Sequence, residues 1–169
     1  MLVEAVCAIL DRDLQALARE VMAYPDDATV WQVPEGAVNS TGTLVLHLSG
    51  NIQHFLGARL AESGFVRDRP AEFSSRGVPR AALLRQIEAA PTAVRAAADR
   101  VTDESLTGDY PEVVGGMRVA AGEYLIHLVS HFGYHLGQVD YHRRLVTRDA
   151  RGVDAIRTSE LSTARPVAD

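Results

Sequence analysis

Lysine is absent, and all 17 basic residues are arginine. That excludes a Schiff-base lysine, pyridoxal phosphate chemistry and a phosphate-binding loop of the GxxxxGKS/T type. Cysteine occurs once, as Cys7, so an internal disulfide, a CxxC redox pair and a cysteine-rich zinc site are excluded as well. Aromatics make up only 6% of the chain, which speaks against a sheet of aromatic and β-branched strands. No apolar run reaches the roughly 18 residues of a membrane-spanning helix, and no basic segment precedes the first apolar stretch. The expectation is a soluble, cytoplasmic protein with no membrane partner. A formal net charge of −5 argues against nucleic acid as a partner.

What is present points to helices. The 169 residues are 47% hydrophobic, enough for one domain with a core of its own. Val3, Val6, Leu10, Leu14, Leu17 and Val21 recur at helical spacing and predict a first helix over 1–23, stopped by Tyr24-Pro25-Asp26-Asp27. Asn39 or Ser40 caps a second over 40–63, which Ser63-Gly64 ends. Residues 64–78 read as a long crossing loop. Pro79 opens a third helix over 79–101, where Pro91 predicts a kink or break. Residues 103–118 read as a loop with a short extended piece at 110–114, and a fourth helix spans 119–147. Residues 148–169 are polar and aperiodic, a mobile tail or an arm that packs on a partner. The resulting expectation is an all-α protein, a four-helix bundle over 1–147 followed by a tail over 148–169.

All six histidines fall in the second and fourth predicted helices. His127, His131 and His135 repeat every four residues, and each such step turns the helix by only about 40°, so they form one stripe. The apolar arc of that helix is Leu125, Leu128, Phe132, Leu136 and Val139. His131 and His135 lie at its edge, turned toward the bundle. His47 stands similarly beside Leu44 and Leu48, and Asn51 and His54 continue its stripe. Two histidines one turn apart, joined by a third from a facing helix, suit Zn²⁺, Ni²⁺, Fe²⁺ or Co²⁺ and leave coordination positions open. The same placement also suits histidines satisfied within a bundle edge. Gly133 and Gly137, with Gly122 roughly in line, are small residues that allow close helix approach within the chain or across a dimer. Cys7 has no charged neighbour and reads as core.

The run His127-Leu-Val-Ser-His131-Phe-Gly-Tyr-His135-Leu-Gly137-Gln138 is similar to the last-helix signature H-x3-H-x3-H-x-GQ of the DinB-like (YfiT-like) metalloenzymes. Asn39-Ser-Thr-Gly-Thr-Leu-Val-Leu-His47 resembles that family's second-helix start. Leu136 departs from the arginine usual before the GQ. The resemblance implies an up-down-down-up four-helix bundle with a long crossover between helices 2 and 3. It implies one divalent metal, zinc or nickel, held by His47, His131 and His135. It also implies a transferase that joins a low-molecular-weight thiol of the mycothiol or bacillithiol type to a small electrophile; the expected partners are that small-molecule substrate and a second copy of the chain, as a homodimer.

Around that set, His127 lies about 12 Å along the axis from His135 at 1.5 Å per residue. It therefore reads as supporting the ligands or the substrate rather than as a fourth ligand. Gln138 and Asn51 read as groups that orient ligands. His54 and His142 lie two turns beyond and read as structural. A metal-dependent hydrolase is the alternative activity, weakened by the lack of a glutamate base in the motif. A non-catalytic metal- or ligand-binding bundle is the other alternative.

Overall fold

The computed structural model describes residues 2–167. Met1, Ala168 and Asp169, at the ends of the ranges 1–23 and 148–169 read from the sequence, lie outside the described residues. The protein is all-α. In chain order the helices are α1 (Leu2–Met22), α2 (Asp27–Val30), α3 (Thr41–Ile52), α4 (Arg69–Ser74), α5 (Arg80–Arg100) and α6 (Ala121–Thr147). Among the described residues there is no strand; residues 109–120 hold only isolated antiparallel bridges, Asp109 to Ala120 and Val114 to Met117.

The apolar periods dictate the packing. α1 buries Val3, Val6, Leu10, Leu14, Leu17 and Val21 on one stripe. Its free N–H groups are capped from a distance by Asp103, whose carboxylate accepts from Leu2 N and Val3 N at 3.0 and 3.2 Å. Ser40 caps α3 by accepting from Thr43 N. α6 buries Leu125, Leu128, Phe132, Leu136 and Val139. α1 packs on α5 and α6, and α3 packs on α5, α6 and α4. Trp31 lies over α3 at Gly42, where a Cβ would come within 2.5 Å of the indole. Its Nε1 donates to Val78 O at 2.9 Å, which ties two loops to the helix. No helix among the described residues is long and apolar enough to cross a membrane.

Several local expectations change. The crossing segment 64–78 is not all loop: Asp68 caps α4 there by accepting from Ala71 N. α3 does not continue as a uniform helix but widens into a π-helical segment, Gln53–Ala58. α5 runs unbroken through Pro91, because Ile87, Ala90, Val94 and Ala97 are buried on both sides of the proline and hold the register. Residues 150–160 lie back on the chain itself. Arg19 donates to Asp154 O at 3.0 Å, and Arg143 to Arg151 O at 2.8 Å.

Two buried polar groups join α6 to the rest. Arg143 Nε donates to Glu20 Oε2 at 2.5 Å with both side chains at most 2% exposed. Burial raises the Glu20 pKa, and the arginine opposes that shift. His142 Nε2 lies 2.8 Å from Gln32 O and its Nδ1 2.7 Å from Tyr24 Oη. A carbonyl can only accept, so Nε2 carries the proton and Nδ1 accepts from the tyrosine.

Removing one member of a buried ion pair strands the other. Glu20→Ala should cost about 3 kcal/mol in urea unfolding, and Glu20→Leu combined with Arg143→Met should recover most of it. Burial lowers the His142 pKa against the hydrogen bond to Gln32. As pH falls below about 6.5, the unfolded chain therefore takes up a proton that the folded chain refuses, and stability declines. His142→Gln should make that decline shallower by up to about 1.4 kcal/mol per pH unit, as read from urea midpoints between pH 7 and 5.

Candidate metal centre

His47 comes from α3, while His131 and His135 come from successive turns of α6. The packing of the two helices brings one ring nitrogen of each within 4.8 Å of the others. His47 Nε2 and His131 Nε2 are 3.3 Å apart. Ligand nitrogens on a tetrahedral ion with bonds of 2.0–2.1 Å stand roughly 3.3–3.4 Å apart, so this pair has the spacing of two ligands. The rings meet nearly edge to face, at interplanar angles of 81° to 89°.

Hydrogen bonds select the tautomers. His47 Nδ1 is 3.1 Å from Glu72 Oε2 on α4. Glu72 in turn accepts from Arg67 Nε at 2.6 Å and Arg67 Nη2 at 2.8 Å. Arg67 Nη2 also lies 3.2 Å from His47 Nδ1. An arginine cannot accept, so the Nδ1 proton goes to the carboxylate and the Nε2 lone pair faces the cluster. Burial alone would raise the Glu72 pKa, but hydrogen bonds from His47 and Arg67 and the arginine charge outweigh it and lower the pKa. His135 Nδ1 is 2.7 Å from Gln138 Oε1, which leaves His135 Nε2 bare.

Protonation is resisted at both α6 rings. Burial, followed by the neighbouring His135, His47, His127 and Arg67, pushes His131 down to about 4. Burial also lowers His135, against the bond to Gln138. The buried Nδ1 of His131 has no hydrogen-bond partner among the described residues. Three imidazoles with a ring nitrogen each turned toward the others form a donor set that fits a divalent cation of the zinc or nickel kind.

The cluster opens into a cavity of about 750 Å³. Phe55, Phe73 and Tyr124 give it apolar walls, while Arg67, Arg69 and Glu112 bring charge. Of the other residues singled out in the sequence, Gln138 touches His135. Asn51 lines the cavity but makes no hydrogen bond to the cluster among the described residues. His127 is exposed and stacks between Tyr124 and His131, at 5.6 and 6.0 Å between ring centres. His142 serves the buried bonds described above.

His54 departs from its structural reading. It lines the cavity, and its Nε2 lies 2.9 Å from Glu112 Oε2. Arg59 also pairs with Glu112. Tyr110 Oη donates to Phe55 O at 2.7 Å and pins this loop beside the π-helical segment. The sequence reading missed Arg67, Glu72 and Glu112. The helix-start signal Asp68-Arg-Pro70 pointed toward Glu72, whereas nothing periodic marks Glu112. Cys7 is buried, and desolvation pushes its thiol up to about 11, so it is not a nucleophile. Among the described residues, a Cβ at Gly133 or Gly137 would meet nothing within 4 Å, so none of the described helices approaches them closely.

A family model described as "Protein of unknown function (DUF1572)" matches residues 3–156. No curated protein and no solved structure matches the chain.

The tightest constraint on the supporting bonds is at Gly50, where a Cβ would overlap Glu72 Oε1. Glu72→Gln and Gly50→Ala should each weaken zinc binding by about 10- to 100-fold, measured by chelator competition. The effect of Gly50→Ala should largely vanish in a Glu72→Ala background, because both act through the same carboxylate.

Proposed function

The chain belongs to the DUF1572 family, and from that premise we propose that it is a DinB-like metal-dependent transferase that joins a low-molecular-weight thiol to a small electrophile. Its four long helices are read as a four-helix bundle in up-down-down-up order, with residues 64–78 as the crossover. One observation carries the proposal: three imidazole nitrogens converge within 4.8 Å at the wall of a cavity. His47, His131 and His135 would hold a zinc or nickel ion. Such an ion lowers the pKa of a thiol or water bound to it, so that a nucleophile exists at neutral pH.

The chain's own residues supply the rest. Glu72 and Arg67 hold His47 in the tautomer that points Nε2 inward, and Gln138 does the same for His135. Phe55, Phe73 and Tyr124 offer apolar surface to an electrophile and keep bulk water from that side. In the transfer a sulfur–carbon bond forms and the bond from carbon to its leaving group breaks. The thiol proton passes to solvent.

Hydrolysis is the second reading, and one observation favours it: Glu112, bonded to His54, places a carboxylate on the cavity wall that can take a proton from water.

Two measurements test the proposal. Zinc titration of the chelator-stripped protein should give one ion per chain, and His131→Ala should lose at least about tenfold in affinity. Conjugation of bacillithiol or mycothiol to monochlorobimane should then exceed the rate of the His131→Ala protein. Equal rates for the two proteins would remove the transferase reading, and an esterase rate lost in Glu112→Gln would favour the second.

A further inference from the structure

The cavity beside the three histidines has two differently charged walls. On one wall Glu112 is compensated, since His54 and Arg59 both reach its carboxylate. On the other stand Arg67 and Arg69. Arg67 is satisfied only in part. Its Nε and Nη2 serve Glu72, and its Nη1 has no hydrogen-bond partner among the described residues. Arg69 has no carboxylate partner among the described residues. Its guanidinium lies over the Phe73 ring, 4.9 Å from the centre, and the same ring sits 5.0 Å from His47. Phe73 thus lies between the Arg69 cation and His47, its ring tilted by 47° to the imidazole. Asn51, 7% exposed on the same cavity, has an amide with no hydrogen bond among the described residues.

We propose that this wall is an anion subsite, and that the ligand of the cavity carries a carboxylate bound by Arg69, with help from Arg67 Nη1 and Asn51, and an apolar body against Phe55 and Tyr124. The geometry supplies the reasons. Arg69 is exposed, but its guanidinium rests over the Phe73 face at the cavity, and its planar fork matches a carboxylate in bidentate fashion. The imidazoles next to it carry no negative charge that would compete for the guanidinium. Glu112, which lines the cavity from the loop, is already engaged by Arg59 and His54. Glu72 is occupied by Arg67 and His47. A cationic ligand would face Arg69 while the carboxylates of Glu72 and Glu112 are both already engaged.

This inference deepens the functional reading of the same cavity, but its test does not need the ion. The carboxylate belongs either to the electrophile or to the thiol, and two matched probe pairs separate these sources. One pair is 3-phenylpropionate and 3-phenylpropionamide; the other is N-acetylcysteine and N-acetylcysteine amide. Each is titrated by ¹H–¹⁵N NMR into chelator-stripped protein, and again after zinc is added. In the stripped protein at least one acid should bind about tenfold more tightly than its amide. Arg69→Met should erase the difference without changing the melting temperature, and Arg69→Lys should retain part of it.

A preference in the phenylpropionate pair assigns the carboxylate to the electrophile, and one confined to the N-acetylcysteine pair assigns it to the thiol. Equal affinity of acid and amide in both pairs, no binding by either acid at 20 mM, or a preference that survives Arg69→Met overturns the subsite. Failure of zinc to bind, with the acid preference intact in stripped protein, would instead overturn the metal reading and leave the subsite standing.

Discussion

The hydrogen bond from His47 Nδ1 to Glu72 governs the centre of this molecule. Without it the His47 ring has no fixed tautomer, and its lone pair has no fixed direction. With it, the proton sits at the outer nitrogen and the inner nitrogen stands 3.3 Å from that of His131. The carboxylate can do this only because Arg67 grips both its oxygens and keeps it charged although it is nearly buried. The arrangement extends into the backbone, since Gly50 leaves the space that the Glu72 carboxylate fills. A single carboxylate thus connects the crossing segment, α3 and the histidine cluster.

The same economy of buried polar groups recurs where α6 meets α1. Arg143 is fully buried against Glu20, and His142 is clamped between Tyr24 and the Gln32 carbonyl. Leu10, Leu14, Leu48, Leu125, Leu128 and Phe132 form part of the apolar core. The buried polar contacts add directional demands that apolar packing lacks, because each satisfied donor excludes alternative helix rotations. α6 carries His131 and His135 together with His142 and Arg143. The bonds that fix its C-terminal half therefore also restrict where its two cluster histidines point. This couples the stability of one part of the helix to the geometry of another.

How far the sequence carried depended on periodicity. The long helices repeat their apolar residues every three or four positions, and the stripe of His131 and His135 is legible because the helix turns predictably. His47 shared the edge of an apolar arc in the same way. What could not be read lies in segments with no period. Glu72 and Arg67 are five residues apart in a stretch that looks like a loop, and only the Asp68 cap and Pro70 hinted at α4. Glu112 sits among glycines and prolines, and its partners His54 and Arg59 are more than fifty residues away. Two turns of helix put His54 too far from His47 to share an ion, which suggests a structural role, yet that distance does not keep it from sharing the cavity. Pro91 misled in the opposite direction, because the propensity of one residue was overridden by the burial of its neighbours.

The cluster itself is costly to the fold. Three imidazoles turn ring nitrogens toward one another, and burial, followed by the neighbouring histidines, pushes His131 down to about 4. Its Nδ1 has lost water and gained no partner among the described residues. A leucine at 131 would continue the apolar arc formed by Leu128 and Phe132 without that penalty. Local departures from favourable packing are expected where a site must meet something other than the fold's own demands. The cost is concentrated at the cavity mouth, while the ordinary hydrogen-bonding rules are obeyed at His47, His135 and His142. That distribution makes the inward-facing nitrogens the feature most in need of a functional explanation, and the three could hold a metal ion that would give each lone pair a partner.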